Sequence, residues 1–319
     1  MTNFQIYRKI LSFSLMMFLV DIINLLIVGG LAFLGFYIFQ SAFDLGLAGI
    51  PVGILVGIII VVLINIFVNN RIKAAQIAMM SKGINENNLP AHTFKEGFNE
   101  LKGRFGSITV FFFVTRAIKG IFRQIGNAIN RVGNAIGGQT GNSITSAINS
   151  AVQTLLSYLC DCCLGWVMFR KDQNAAKSAC EGAVIFFKHG KTLIRNIGRI
   201  FGMGFLSLLV IGGAFFGLSY LVFNQFPAFF SDLSQQIIAS GSDVPEFVSD
   251  PNLLMIYLAA ILGIVIWSMF HSVLIRPFIL TGVMRNFMEA GKAHIPTESE
   301  FNEVANKSPR FAKLANKID

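Results

Sequence analysis

The stretch PVGILVGIIIVVLINIFVN, residues 51–69, decides the fold class of this chain. It carries no charged side chain, and it is about as long as the roughly 20 apolar residues that a helix needs to cross a bilayer. The whole sequence has the same character, since 54% of its 319 residues are hydrophobic and 13% are charged. Soluble domains carry about 25% charged residues. We therefore predict an integral membrane protein.

Further apolar runs predict an all-α, polytopic fold with about six transmembrane helices in three hairpins, forming a single membrane domain over residues 1–319. The first run is too long for a signal-peptide core, so we interpret it as a retained helix. The third is apolar only up to Arg116, which makes it short for an unaided crossing. The predicted spans are about 10–39, 51–69, 105–122, 144–169, 201–223 and 253–275.

The basic residues, which give a net charge of +9, are distributed unevenly. They concentrate at the N-terminus and in 70–104, 170–199 and 276–319, whereas 41–50 and 224–252 contain none. Because cytoplasmic loops of membrane proteins are enriched in Lys and Arg, we expect both termini in the cytoplasm and 276–319 to be a basic cytoplasmic tail. The plasma membrane is the expected location. The expected partners are the lipid bilayer and, at the basic face, anionic headgroups.

A second kind of membrane element is predicted for residues 116–138, which include IGNAINRVGNAIGG (125–138). Isoleucine and valine recur there every three or four residues, and Arg, Lys and Asn occupy the opposite face. This pattern is typical of an amphipathic helix lying at the membrane surface. The regular small residues leave an oligomeric pore open as an alternative. The apolar stripe comprises Ile118, Ile121, Ile125, Ile129, Val132 and Ile136.

Several functional classes find no support in the sequence. It has no phosphate-binding loop, nucleophile elbow or zinc-protease motif, so we predict neither an enzyme nor a cofactor. The four cysteines lack a second ligand pair at zinc-finger spacing, so we predict no metal site. We interpret them as free thiols, with palmitoylation of Cys162 or Cys163 as an alternative. No basic cluster interleaves with stacking aromatics, so nucleic acid is not an expected partner.

A substrate site is predicted around Asp161, in SYLCDCCLGW (157–166). Ionisable residues at membrane depth are costly and are therefore functional candidates. Tyr158 and Gly165 lie about one turn on either side, on the same helix face. A carboxylate beside an aromatic ring can hold a small organic cation, and Trp166 and Trp267 are assigned to the same site. The alternative is that Asp161 bonds to a neighbouring helix and has a structural role.

Two further residues are candidates for proton coupling. Asp21 lies in the first apolar run, with Asn24 one turn later. His271 follows Trp267 by one turn in the last span, and histidine titrates near neutral pH. Simple solvation of Asp21 and an interfacial position for His271 are the alternatives. Asn65, in the second span, is expected to form a hydrogen bond between helices.

Several stretches together resemble the choline transporter-like family. They cover about residues 85–319, in the order and with the approximate spacing of that family. The resemblance implies a proton-linked carrier of choline or a related amine. The matching stretches are NENNLPAHTFKEGFNELKGRFGSI (85–108), YLCDCCLGW (158–166), FFKHGKTLIRNIGRI (186–200), LLVIGGAFFGLSYLV (208–222) and MRNFMEAGKAHIP (284–296).

Other interpretations of the same residues remain open. SACEGAVIFFKHGKTLIRN (178–196) is also similar to a loop of bacterial multi-span proteins found near glycerophosphodiester phosphodiesterases. The first and last basic segments resemble each other, which leaves a triplicated hairpin possible. For function, we favour a transporter of a small organic cation. A non-transporting scaffold or assembly protein is the alternative, an oligomeric pore is a third option, and a homo-oligomer is possible.

Overall fold

A computed structural model describes residues 1–43, 46–106, 112–121, 142–194, 197–239, 246–309 and 311–312. Every regular element in these ranges is helical, which confirms the predicted all-α class. The α-helices are α1 (Asn3–Lys9), α2 (Leu11–Phe43), α3 (Gly46–Ile64), α4 (Asn70–Asn85), α5 (Thr93–Phe105), α6 (112–121), α7 (Asn142–Phe169), α8 (Ala175–Ile194), α9 (Ile197–Ser207), α10 (Gly213–Phe223), α11 (Pro227–Ala239), α12 (Glu246–Ser249), α13 (Pro251–Phe270), α14 (Arg276–Ala293) and α15 (Glu298–Lys307). Three π-helical turns join consecutive helices, at Asn65–Asn69, Leu208–Gly212 and His271–Ile275.

The helices fall into two compact units. The first unit comprises Met1–Ile197 and Pro277–Asp319, and it contains α1–α8, most of α14, and α15. The second unit, Gly198–Arg276, contains α9–α13. Two separate stretches of sequence therefore build the first unit, and the second unit lies between them in the chain.

Among the residues that the structure describes, four helical stretches are long and apolar enough to cross a membrane: Leu11–Phe43, Ala48–Asn85, Gly202–Phe223 and Pro251–Ala293. They coincide with four of the predicted spans, those at 10–39, 51–69, 201–223 and 253–275. Their side chains are mostly exposed within the protein, as expected for helices that face lipid. The chain is therefore a helical integral membrane protein with four candidate spans, and the predicted count of six is not confirmed.

The other two predicted spans, 105–122 and 144–169, are not among the candidate spans in the described residues. Residues 107–111 lie outside the described part of the chain. In α7, only Gln153–Phe169 is apolar, and Leu159, Cys162 and Trp166 in that stretch are completely buried by other helices. An apolar run that packs in a protein core has the same composition as one that faces lipid, so its sequence alone does not distinguish them.

The hairpin of α2 and α3 packs through glycine. Gly49, Gly53 and Gly57 recur every fourth residue and so form one ridge on α3. A Cβ atom on Gly53 would collide with the carbonyl oxygen of Leu31, and one on Gly57 would lie 3.0 Å from the Cα of Val28. In a bilayer, helices associate by such close backbone packing because lipid chains are as apolar as the side chains.

The rest of the first unit is a helical bundle that includes three helix–turn–helix pairs: α4–α5, α7–α8 and α14–α15. In each pair, a carboxylate on the second helix bonds to a nitrogen near the end of the first. Glu100 bonds to Lys82 at 2.7 Å. Glu181 accepts from Trp166 at 2.9 Å, and Glu300 lies 2.9 Å from His294. This shared contact fits the triplicated hairpin that the sequence left open.

The segment 276–319, predicted as a basic tail, is folded where it is described. Phe287 and Met288 on α14 and Phe311 beyond α15 are completely buried. Arg285 reaches the N-terminal segment, where its Nε donates to Asn3 at 2.6 Å. These residues are therefore part of the bundle core.

Only the first residues of the predicted amphipathic helix 116–138 are described. Residues 116–121 belong to α6, and 122–138 lie outside the described residues. Ile118 and Ile121 are 2% and 1% exposed, so the described part of the apolar stripe packs against protein. Arg116 and Lys119 are exposed on the other side. In residues 116–121 the apolar side is therefore covered by protein rather than by lipid, and the prediction for 122–138 stays a prediction.

The second unit is a hairpin of α10 and α13 with a short helical cap. A Cβ atom on Gly263 of α13 would lie 2.9 Å from the backbone nitrogen of Phe216, so these helices also approach closely. Phe230 of α11 packs with Leu254 and Met255 of α13 in a small apolar core. The cap is thereby fixed to the hairpin.

Candidate functional site

Asp161 pairs with a lysine of the neighbouring helix α4. Its Oδ1 lies 2.8 Å from Lys73 Nζ, and the two side chains are 9% and 31% exposed. A carboxylate removed from water needs a counter-charge, and Lys73 supplies one from within the protein. The pair therefore joins α4 to α7, as the structural interpretation of Asp161 predicts.

Two of the three aromatic residues assigned to the cation site, Tyr158 and Trp166, lie in the bundle core. Tyr158 is 1% exposed and Trp166 is 0% exposed. The indole nitrogen of Trp166 donates to Glu181, which also pairs with Arg170 at 3.2 Å. Because these ring faces are covered by protein, neither ring is accessible to a ligand without rearrangement of the core.

Gly165, expected to leave a gap beside Asp161, is filled from another helix. A Cβ atom there would lie 2.9 Å from the sulfur of Met284 on α14. The carbonyl oxygen of Gly165 accepts a hydrogen bond of 2.9 Å from Ser81 of α4. The glycine thus permits close packing of α4, α7 and α14, and the predicted gap is absent at this described position.

The predicted candidates Trp267 and His271 belong to the second unit. Trp267 donates its indole N–H to Ser207 at 3.0 Å, and its ring lies 5.3 Å from that of His271. The contact joins α13 to α9 near the π-helical turn that begins at His271. The structure therefore brings this predicted pair together, in an arrangement that also holds two helices.

The third group of predicted residues meets at the end of the α2–α3 hairpin. Asn69 donates its Nδ2 to Asp21 Oδ1 at 3.2 Å and to Asn65 Oδ1 at 2.6 Å. Asp21 is on α2, whereas the two asparagines are the first and last residues of a π-helical turn. The described hydrogen bond of Asn65 is to Asn69 on its own helix, so Asn69 and not Asn65 makes the interhelical bond, and Asp21 is bonded rather than merely solvated.

Two polar cavities open beside Glu100 on the bundle. Their volumes are about 340 Å³ and about 210 Å³, and both are lined by Glu100 and Lys171. Glu100 bonds to Lys171 at 2.5 Å and to Lys82 at 2.7 Å. Burial would raise the pKa of Glu100, but the hydrogen bonds from Lys171 and Lys82 outweigh it and lower the pKa.

The lowered pKa of Glu100 predicts a loss of stability in acid. A carboxyl group whose pKa is lower in the folded state stabilises the fold above its unfolded pKa of about 4.3, and this contribution is lost as the pH falls through the folded pKa. We expect Glu100→Gln to destabilise the protein at pH 7 and to have little effect in strong acid. Thermal unfolding of both proteins against pH measures this, and Glu289→Gln on the exposed surface of α14 is the control. A difference in unfolding midpoint between the Glu100 variant and the parent that does not change with pH would contradict this prediction.

Sequence reasoning missed three residues that organise the bundle: Lys73, Glu181 and Arg104. Arg104 donates to the backbone oxygens of Val167 and Gln173, at 2.7 and 2.8 Å, and so holds the end of α7. Burial lowers the pKa of Arg104, against the opposing effect of Asp172. The sequence did contain a signal for these ion pairs, since acidic and basic residues alternate in 70–104 and 170–181. We interpreted these segments only as enriched in positive charge.

The comparisons with known proteins leave the resemblance to choline transporter-like proteins a prediction. No family model matches the chain, and neither the curated proteins nor the solved structures contain a significant match.

Proposed function

We propose that this chain is a membrane-anchored scaffold that does not transport a substrate. The observation that carries the proposal is the pairing of Asp161 with Lys73 inside the bundle. The carboxylate best suited to hold an organic cation already has a protein cation beside it. Its aromatic neighbours Tyr158 and Trp166 are buried in the same core. These features support a structural role for Asp161 and its aromatic neighbours on α7.

In this proposal, the scaffold binds the membrane surface through a basic face formed by Arg71, Arg116 and Lys119. Arg71 follows the π-helical turn at the end of α3, and Arg116 and Lys119 are exposed on α6. The rings of Phe67 and Phe112 lie 6.0 Å apart, which links these two segments at the end of a candidate span. Each arginine lies four residues beyond one of these rings. Anionic headgroups attract such cations near the membrane surface.

The proposed orientation places the bundle in the cytoplasm, most simply at the plasma membrane, with both termini on that side. The basic residues of 70–104 and 170–199 support it, because positive charge is enriched on the cytoplasmic side. The second unit is consistent with this orientation, because its segment 224–252 contains no basic residue, as expected for a segment on the non-cytoplasmic side. In this arrangement the α2–α3 hairpin anchors the bundle of the first unit to the inner leaflet.

Binding of anionic lipid tests the proposed basic face. We expect the purified protein to unfold at a higher temperature in nanodiscs containing phosphatidylglycerol than in discs of phosphatidylcholine alone. Replacing Arg71, Arg116 and Lys119 together by glutamine should remove most of the difference, at about 1 kcal/mol for each cation. The measurement is the thermal unfolding midpoint of each protein in each lipid.

The control for this experiment replaces exposed lysines elsewhere on the bundle. Lys95, Lys102 and Lys177 are exposed, and glutamine at these positions changes the net charge by the same amount. The control variant should keep the lipid effect. The proposed lipid-binding face would be overturned if both variants lost the lipid effect equally. It would also be overturned if the parent protein unfolded at the same temperature in both kinds of nanodisc.

Transport of a small organic cation remains the second proposal. One observation favours it, since Asp161 and Tyr158 do share a face of α7 and Lys73 is still 31% exposed. A carrier of this kind would exchange Lys73 for the substrate ammonium as the partner of Asp161. It predicts saturable choline uptake that Asp161→Asn abolishes while the protein remains folded.

A further inference from the structure

The interface between α2 and α3 changes from apolar to polar along its length. The α3 ridge that begins with Gly49, Gly53 and Gly57 continues every fourth residue through Val61 to Asn65 and Asn69. On α2, the facing residues follow a spacing of three and four, which is the spacing of one helix face. They are Asp21, Asn24, Val28, Leu31 and Gly35. Contacts of Gly53 with Leu31 and of Gly57 with Val28 set the pairing of the two helices at the glycines. Beyond them, the hydrogen bond from Asn69 to Asp21 links the polar ends of the two faces.

One nitrogen lies at the centre of this polar end. Asn69 Nδ2 is 3.2 Å from Asp21 Oδ1 and 2.6 Å from Asn65 Oδ1, so oxygens from both helices converge on a single point. Asn65 and Asn69 bound a π-helical turn, a distortion that occurs frequently at functional sites. Across this turn, Asn69 reaches Asp21 of α2, and Asn65 bonds to Asn69.

Two oxygens of this cluster have no described hydrogen-bond partner. Asn24 is 7% exposed, and its Oδ1 is buried without a donor among the described residues. The same holds for Asn69 Oδ1. Buried acceptors that lack a donor are costly, because they lose their bonds to water without replacement. No described lysine or arginine forms an ion pair with Asp21, so its negative charge is also uncompensated by a side chain.

We propose that Asp21, Asn24, Asn65 and Asn69 form a sodium site within the α2–α3 hairpin. The donor set is one carboxylate and three amide oxygens, and such hard oxygen ligands suit hard cations. A single carboxylate matches a single positive charge. Rotation of the Asn69 amide by 180° puts its oxygen where its nitrogen lies, beside the oxygens of Asp21 and Asn65, and a cation bound next to these three oxygens would replace the hydrogen bonds of the nitrogen. The cation also gives the oxygen of Asn24 a partner.

The site would hold the two helices together where glycine packing ends. Sodium binding to the folded hairpin then stabilises it by mass action, because the separated helices do not offer the four oxygens together. This inference is independent of the proposed scaffold function, since it concerns only the α2–α3 hairpin.

Thermal unfolding in detergent at constant ionic strength tests the site. Sodium chloride is titrated against N-methyl-D-glucamine chloride, and potassium chloride is a parallel series. Above the dissociation constant, each tenfold rise in sodium should raise the unfolding midpoint by about 2–4 °C. Asp21→Asn and, separately, Asn24→Leu should abolish the sodium dependence. The matched control is Asp232→Asn, an exposed carboxylate of the second unit, which should retain it.

The parent protein alone can overturn the proposal, even if a variant does not fold. A midpoint that responds equally to sodium, potassium and N-methyl-D-glucamine would overturn it. A midpoint that ignores sodium but rises on acidification, with Asp21→Asn abolishing that rise, would assign a proton to the site and would also overturn the sodium assignment. A sodium response that survives in both Asp21→Asn and Asn24→Leu would place any ion elsewhere.

Discussion

Replacing Gly53 by leucine should separate α2 from α3 and destabilise the protein by about 3 kcal/mol or more, as expected for severe overpacking. Even a single carbon at this position would collide with the carbonyl oxygen of Leu31, so the backbones must move apart. Membrane helices depend on close approach for association. The loss of stability is measured as the thermal unfolding midpoint of the detergent-purified protein, monitored by size-exclusion chromatography after heating.

Gly30 provides the matched control on the same hairpin. It lies on α2 with no atom within 4 Å of a Cβ built there, so leucine at this position would face lipid. Gly30→Leu should leave the midpoint nearly unchanged, although it makes the same chemical change. Equal stability of Gly53→Leu and Gly30→Leu would refute the packing described for α2 and α3.

The second large effect is expected at the Asp161–Lys73 pair. Lys73→Met leaves the carboxylate of Asp161 largely buried without its cation, which should cost about 1–3 kcal/mol. Asp161→Leu removes the carboxylate from beside the more exposed lysine and should cost less. The double variant Lys73→Met/Asp161→Leu removes both charges, and replacing a buried pair by apolar side chains is often neutral. We therefore expect it to be more stable than Lys73→Met.

A double-mutant cycle of unfolding midpoints quantifies the coupling between these residues. Lys177→Met, at an exposed position of α8, controls for the loss of a lysine. Additive effects of the two substitutions would show that the pair contributes nothing, contrary to the structural role of Asp161.

The membrane-spanning elements could be predicted from composition because lipid-facing helices are apolar all round. Residues 51–69 are one example, since their sequence alone predicts a span and the structure has a helix there. The same reasoning overestimated α7, where Leu159 and Trp166 are buried by protein. Apolarity indicates that water is excluded, and it does not indicate whether protein or lipid replaces the water.

The candidate site was harder to predict because its partners are distant in sequence. The sequence singled out Asp161 as a costly carboxylate, but its partner Lys73 precedes it by 88 positions and was counted only as part of a basic segment. Asp21 and Asn65 were both noted, yet only Asn69 joins them. Periodicity identifies residues on one helix face, whereas the pairing of faces depends on the tertiary fold.

Uptake of labelled choline into proteoliposomes tests the central claim, that Asp161 is a structural residue of a non-transporting scaffold. Vesicles are sealed, orientation is checked by protease protection, and uptake is compared with protein-free vesicles over a range of choline concentrations. The account predicts no uptake above background for the parent protein or for the folded double variant Lys73→Met/Asp161→Leu. Saturable uptake by the parent that the folded double variant lacks would contradict it and would establish Asp161 as part of a substrate site.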